Sequence, residues 1–446
     1  MSYAIADVEL TEPLQTVRLK EGQHGIGLLA RADGWPVHFS LHELEPGSVL
    51  EAGQLQALLR RHARADVVAH ALAGELLAAG TAAAQPTGAR APSTSAHSLS
   101  VAVCTRARTP LLAACLASIR RALDANRTLG TDLRVPVEVL VVDNAPPDDA
   151  TRELVAGLPD VRYEVEPRPG LDFARNRALA SSSADFVAFI DDDVELDPLW
   201  LRGLVAALAE HPDAGAVTGL VLPFELETRA QILFEWRGGF RRGFTQRRYA
   251  GQRLAGNPLY PVGAGIFGAG CNMVLRRQAV LDLGGFDHAL DTGAPLPGGG
   301  DLDIFYRVVR AGLPLVYEPR MAVRHKHRRE YAALRRQYWT WGTGFMAFLA
   351  KTHGCDAAAR AKVRRMLAWW LLDQLRQLRR SLPPGSGVPA ALVLAELAGG
   401  VVGLAGGYGR SQRRIAAIEA DAVIEAIEAI EATAAAGQVG DPAASA

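Results

Sequence analysis

At 446 residues the chain is too long for one ordinary hydrophobic core, so two or three domains are expected. A formal net charge of zero with 49% hydrophobic residues describes a soluble globular protein overall. Cys104, Cys115, Cys271 and Cys355 form neither a CxxC pair nor a regular framework, which excludes a disulfide scaffold and fits reduced thiols in the cytoplasm.

The N-terminus carries acids and no apolar core of signal-peptide length, so no secretion signal is expected. Residues 1–80 read as a small α+β domain: short alternating segments (VRLK, IGLLA, PVHFSL) suggest strands, and residues 51–77 a helix. No catalytic constellation occurs there. Residues 81–97, built mainly from Ala, Pro, Ser, Thr and Gly, read as a flexible linker.

From residue 98 the pattern changes. Strands over 99–104, 137–142, 161–165 and 186–190 alternate with helices over 110–123, 148–158 and 171–181. This order implies a parallel sheet with helices on both faces, and such sheets bind ligands beyond the carboxyl ends of their strands. Thr105 and Arg106 follow the first strand, Asp143 and Asn144 the second, and Asp191, Asp192 and Asp193 the fourth. Asp143 can accept hydrogen bonds from a base imide or ribose hydroxyls, and Arg106 can serve a phosphate or carbonyl, although an Asp at a strand end also serves as a cap. Three carboxylates at a strand tip repel one another, and a hard divalent cation would compensate. A solvated acidic turn, with Asp197 and Pro198 opening the next helix, is the alternative.

The arginines of residues 237–249 (RGGFRRGFTQRRY) suggest a loop that contacts diphosphate or an anionic acceptor, or else a solvated loop; no nucleic-acid module accompanies them. Residues 263–273 (GAGIFGAGCNM) could let backbone N–H groups approach a ligand. They are not a Walker motif, and no GxGxxG follows the first strand, which counts against kinase, ATPase and dehydrogenase chemistry. Residues 284–287 read as a turn. Residues 292–300 (TGAPLPGGG) are too rich in Gly and Pro for helix or strand and precede Asp301, which opens a helical run where an acid also caps and suits the dipole. His325 and His327 follow the last strand.

Residues 321–380 hold fourteen Lys and Arg against three acids, a net of +11. Their helices mix arginines with Tyr338, Trp339, Trp341, Phe345 and Phe348, which suits an acceptor platform, an anionic membrane surface, or plain packing on the domain. Residues 388–408 are apolar but interrupted by Glu396 and by glycines, so a spanning helix is not expected. Residues 415–436 read as a helix whose apolar stripe would serve a homodimer or its own chain, and residues 437–446 as a disordered tail.

Six blocks in order, SVAVCTRAR, EVLVVDNAPPDDATRELV, RPGLDFARNRALA, FVAFIDDDVELDPLWL, GAGCNMVLRRQAVLDLGGFD and GGGDLDIFYRVVRAGLPLVYEP, resemble family 2 glycosyltransferases over residues 98–330. The resemblance implies a GT-A fold, a Rossmann-like α/β sheet with helices on both faces, between the N-terminal domain and a C-terminal helical region over 331–436. It also implies an inverting transfer of sugar from a nucleotide-diphosphate donor to an acceptor hydroxyl, with Mg or Mn; the thiols and the basic segment 321–380 place the chain in the cytoplasm or at the inner face of the membrane. Position by position, Asp191 and Asp193 match the outer acids of the DXD signature, near the ribose and on the metal, with Asp192 between them. Asp143 matches the acid at the nucleotide base, with Thr105 and Arg106 beside it. Arg175 matches a position near the sugar or diphosphate. His325 matches a metal ligand and Asp301 the general base, with Asp303 a substitute. Many relatives carry Glu where this chain has Gly300. That departure leaves open a catalytically silent member acting as a scaffold; within enzymes, a sugar nucleotidyltransferase is the competing class.

Overall fold

The computed structural model describes residues 1–68, 97–128, 137–290, 293, 296–383, 388–421 and 424. The expected linker, except His97, and the expected tail lie outside the described residues, as does the helix expected after residue 68.

The N-terminal unit comprises β1 (Ser2–Glu9), β2 (Val17–Arg18), β3 (Gln23–Ala32), β4 (Trp35–Glu43), β5 (Val49–Leu50) and helix α1 (Ala52–His62). β1 pairs parallel with β3, and β3 antiparallel with β4. The unit is docked on the rest of the chain. Tyr3, Leu29 and Phe39 share an apolar cluster with Leu222, Leu226 and Ile232. The Tyr3 N–H donates to the Leu226 carbonyl at 2.7 Å, and Arg31 pairs with Asp197 at 2.7 Å. Asp197 is thereby tied across the interface, and the helix after it starts only at Trp200.

The larger unit runs β6 (Leu99–Thr105), α2 (Thr109–Thr128), β7 (Val137–Asn144), α3 (Ala150–Ala156), β8 (Val161–Glu166), α4 (Leu171–Ser181), β9 (Phe186–Asp191), β10 (Val194–Leu196), α5 (Trp200–Glu210), β11 (Ala216–Pro223), α6 (Arg229–Trp236), β12 (Arg247–Tyr249), β13 (Asn272–Arg276), α7 (Arg277–Asp282), α8 (Gly300–Arg310) and β14 (Leu315–His325). The sheet order is β10-β14-β11-β13-β9-β6-β7-β8, with β12 beside β14. The first half, β8-β7-β6-β9, is parallel as expected, and its strands β6, β7 and β9 are apolar runs covered on both faces. The second half is mixed: β13 runs antiparallel to both β9 and β11. Asn272, fully buried at the start of β13, holds this junction. Its amide donates to the Leu220 and Met321 carbonyls, and its oxygen accepts from the Trp200 indole at 2.9 Å.

Helices α9 (Tyr331–Cys355), α10 (Arg360–Ser381) and α11 (Ala390–Val402) follow, and Met346, Phe348 and Leu349 of α9 with Val363 and Met366 of α10 join the main core. Helical structure continues past α11, and Ala390–Asp421 is long and apolar enough to cross a membrane by length and composition, with about a third of its most apolar window buried. Further along, Ile415 and Ile418 pack on Phe173 and Ala289 of the same chain. Most of the expected dimer helix lies outside the described residues.

Candidate active site

Strand register gathers the acids. Thr105 stands opposite Asp143, and Cys104 opposite Asp191, so the ends of β7, β6 and β9 lie side by side at strand spacings of about 4.8 Å. Each apolar strand delivers one polar group to the same edge because its last buried residue is followed at once by a turn. Asp143 is fully buried and accepts from the Tyr163 hydroxyl at 2.9 Å. Burial raises its carboxyl from the ordinary value, with the Tyr163 hydrogen bond working the other way.

The three aspartates point in different directions. Asp192 turns inward, accepting from the Thr105 hydroxyl at 2.7 Å and pairing with Arg108 at 2.6 Å. Burial pushes its carboxyl up to about 6. In this position it braces the turn and does not line the cavity described next. Arg106 is exposed, and the guanidinium on the acids is that of Arg108, which also pairs with Asp193 at 2.7 Å. The physical reason is the turn: Ala107 has φ of 53°, which reverses the chain so that Arg108 folds back over the triplet.

Asp191 lies on the wall of a cavity of about 700 Å³, together with Arg175, Asp301, His325 and Arg328. Its side chain is 36% exposed, and enclosure raises its carboxyl, opposed by Arg175 at 3.9 Å. Arg175 is buried and held at 3.1 Å by Asp172, one helical turn earlier on α4. Asp301, in the first turn of α8, accepts from the Gly270 N–H at 3.2 Å and from the Leu302 N–H at 2.8 Å. The structure thus brings Asp191, Arg175, Asp301 and His325 onto one cavity, whereas Thr105 and Asp143 lie at the neighbouring strand ends without lining it. Asp303 is buried in ion pairs with Arg307 and Lys351, both at 2.7 Å, and does not line this cavity.

The departure at Gly300 has a physical cause. A Cβ there would stand 2.1 Å from Asp172 Oδ2, so the Asp172 carboxylate fills the space that a side chain at position 300 would need. Sequence reading singled out Gly300 but not Asp172, although its place three residues before Arg175 was the available signal.

Asp193 and His325 face each other, Oδ1 to Nε2, at 3.4 Å. Burial works upward on Asp193, and His325, Arg108 and Arg328 outweigh it, holding the carboxyl below its ordinary value. Burial drives His325 down to about 4, so its ring is neutral at neutral pH and the two guanidinium groups carry the effect there. Behind His325, its Nδ1 meets His327 Nδ1 at 3.0 Å, and His327 Nε2 meets the buried Glu235 at 2.8 Å. A carboxylate can only accept, so His327 carries its proton on Nε2. Where His327 Nδ1 accepts in that contact, the neutral His325 carries its proton on Nδ1 and turns a bare Nε2 lone pair towards Asp193. Two facing acceptors with no proton between them suit a divalent cation, and the Glu235–His327 chain is the kind of support that fixes a ligating ring. Among the described residues no group of three or more His, Cys, Asp or Glu side chains could hold a metal ion. Further ligands would come from a bound diphosphate and water.

The arginine loop is anchored, not free. Arg237 pairs with Glu396 of α11 at 2.5 Å and lies over Tyr338, and Arg241 pairs with Glu235 and covers Phe39 of the N-terminal unit. Arg242 reaches the cavity wall, where burial lowers its basicity. Trp341 and Phe345 line the same cavity, while Tyr338 and Phe348 are core residues. The turn at 284–287 lies away from this cavity, with Asp287 paired to Lys351 at 2.6 Å.

Acidic strand ends, a buried arginine and a carboxylate on the facing helix of one cavity define an α/β protein of the GT-A type. The family model described as Glycosyl transferase family 2 matches residues 100–282. The succinoglycan biosynthesis protein ExoM of Rhizobium meliloti (strain 1021) is 30% identical over 271 residues, 58% of this chain and 78% of that protein. The pre-mycofactocin glycosyltransferase of Mycobacterium tuberculosis (strain ATCC 25618 / H37Rv) is 30% identical over 287 residues, 63% of this chain and 55% of that protein, so the chain spans about half the length of this relative. Among solved structures, the mannosyltransferase PcManGT from Pyrobaculum calidifontis in complex with GDP-Man and Mn2+ is 18% identical with a TM-score of 0.45, covering 76% of this chain and 98% of that one. The chain belongs to glycosyl transferase family 2.

Proposed function

We propose that this chain is an inverting, metal-dependent glycosyltransferase that moves a sugar from a nucleotide-diphosphate donor to an acceptor hydroxyl. The observation that carries the reading is the shared cavity, in which Asp301 faces Asp191 and Arg175. Asp301 is the general base: its Oδ2, which accepts a long bond from Gly270, takes the acceptor proton as the hydroxyl oxygen attacks the anomeric carbon and the nucleoside diphosphate leaves. A single displacement of this kind inverts the anomeric centre. Arg175, kept charged and in place by Asp172, binds the donor's sugar or diphosphate, and Asp143 and Thr105 receive the nucleoside. Asp193 and His325 would hold Mg or Mn, which supplies charge neutralisation for the leaving diphosphate.

Asp172 occupying the space at Gly300 supports an intact enzyme over a silent scaffold, because the acid removed from position 300 is matched by one on α4. The unpaired state of all four cysteines supports a cytoplasmic location. The test is hydrolysis of UDP-, GDP- and dTDP-sugars with and without Mn. Release of one nucleoside diphosphate only with the metal is expected. No release from any donor, with no stabilisation by any nucleoside diphosphate, would overturn the reading.

A further inference from the structure

We propose that the outer face of α10 and α11 is a docking surface for an anionic lipid bilayer. On α10, Leu371, Leu372 and Leu375 face outward and are each about half exposed. At 100° per residue they share one face with Arg364 and Arg365 before them and Arg379 after, all exposed. The arrangement is an apolar centre with a guanidinium group at each end, which lets the leucines enter the acyl boundary while the arginines stay at headgroup level. On α11, Ala391, Leu394, Ala398 and Val401 make an exposed stripe at three- and four-residue spacing that contains no charge.

Charge selects the occupant. Arg364, Arg365, Arg376, Arg379 and Arg380 enter no ion pair among the described residues, and they belong to the segment of net +11. A second copy meeting this face would set the same arginines against one another, whereas an anionic bilayer neutralises them. The helix lies along the membrane instead of through it, because its inner face is locked into the fold. Gly342 and Gly399 bring α9 and α11 so close that a Cβ on either would stand 2.0 Å from a carbonyl oxygen of the other helix. Glu396, at the centre of α11, is ion-paired to Arg237. A groove of about 670 Å³ between α9 and α11 opens beside the stripe, and its Arg336 also lines the catalytic cavity. Docking therefore brings the rim of that cavity to the bilayer; a membrane-borne acceptor follows only if the transfer reading above also holds.

The test uses the full chain and vesicles of phosphatidylcholine, alone or with phosphatidylglycerol as about a third of the lipid. Co-sedimentation with the anionic vesicles only, reversed by salt, is expected. Arg376→Ser with Arg379→Ser should lower the partition coefficient about 25-fold, roughly fivefold per arginine. Leu371→Ser with Leu375→Ser should also release the protein, with melting temperature unchanged in both cases because these side chains face outward. Retention of wild-type binding by both variants would overturn the proposal. So would displacement by excess inorganic phosphate, which would assign the arginines to free phosphate groups, or a dimer split by the leucine variant without vesicle binding. The assay needs neither donor nor acceptor, so its failure leaves the catalytic reading untouched.

Discussion

Replacing Gly300 with Ala tests the link between this glycine and Arg175 on the cavity wall. The new methyl carbon would begin 2.1 Å from Asp172 Oδ2 and 2.8 Å from its carboxyl carbon, distances that real Cβ atoms do not reach. Asp172 is 1% exposed and cannot swing into water, so its carboxylate must be pushed off Arg175, with which it pairs at 3.1 Å. Breaking one side of a buried ion pair costs about 3–5 kcal/mol, and α8 can relax by part of this, so a loss of about 3 kcal/mol is expected. The assay is urea denaturation of wild type, Gly300→Ala, Asp172→Gly and the double variant. Removing Asp172 makes room for the methyl, so the double variant should be no worse than Asp172→Gly alone, and the cycle should show a coupling of about 2 kcal/mol or more. Gly300→Ala should also weaken nucleotide-sugar binding, since Arg175 loses its support. A Gly300→Ala protein as stable as wild type, or strictly additive effects, would refute the reasoning.

Asn272→Ala should cost about 2–4 kcal/mol by chemical denaturation, because it strands the Trp200 indole N–H and the Leu220 and Met321 carbonyls in the core. Glu235→Gln can donate where Glu only accepts, so it can reverse the protons along His327 and His325; a fall in Mn affinity of about 10- to 100-fold, measured by titration with nucleoside diphosphate present, is expected, together with a lower melting temperature because Arg241 loses its buried ion-pair partner. At low pH the pair of Arg310 and Asp356 should set part of the melting profile. Hydrogen bonding from Arg310 holds the Asp356 carboxyl down at about 2, against 3.8 unfolded. A depressed acid stabilises the fold above its unfolded value, so this contribution is present above about pH 4 and lost as pH falls towards 2. Asp356→Asn should flatten the acid limb of melting temperature against pH, and an unchanged limb would count against the assignment.

How much of this was legible in the sequence depends on where each signal lay. The strands β6, β7 and β9 are continuous apolar runs ending in a polar residue, so both their existence and the acids at their tips could be read directly. β1 was missed because Asp7 and Glu9 interrupt it; its inward residues Tyr3, Ala6 and Val8 are too few and too mixed to stand out. The antiparallel insertion of β13 was hidden as well, since apolar residues in a buried strand carry no direction. Asp191, Arg175, Asp301 and His325 were singled out by their motifs, and all four line one cavity. Arg108 and Asp172 were not singled out, because a left-handed turn at Ala107 and a steric exchange with Gly300 are properties of the folded backbone. His327 was noticed only as a neighbour of His325, and its partner Glu235 lies 92 residues away.

Comparing Asp301→Asn with wild type in paired assays, metal-dependent donor turnover and nucleoside-diphosphate binding, addresses the central claim most directly. Asp301 accepts from the Gly270 N–H and from its own helix, while the ion pair that holds Arg175 in place is made by Asp172. Turnover is expected to fall by roughly 10²- to 10⁴-fold, the usual contribution of a positioned base, while binding in the presence of Mn stays at the wild-type level. Near-normal turnover by Asp301→Asn, or loss of binding equal to the loss of turnover, would contradict the account.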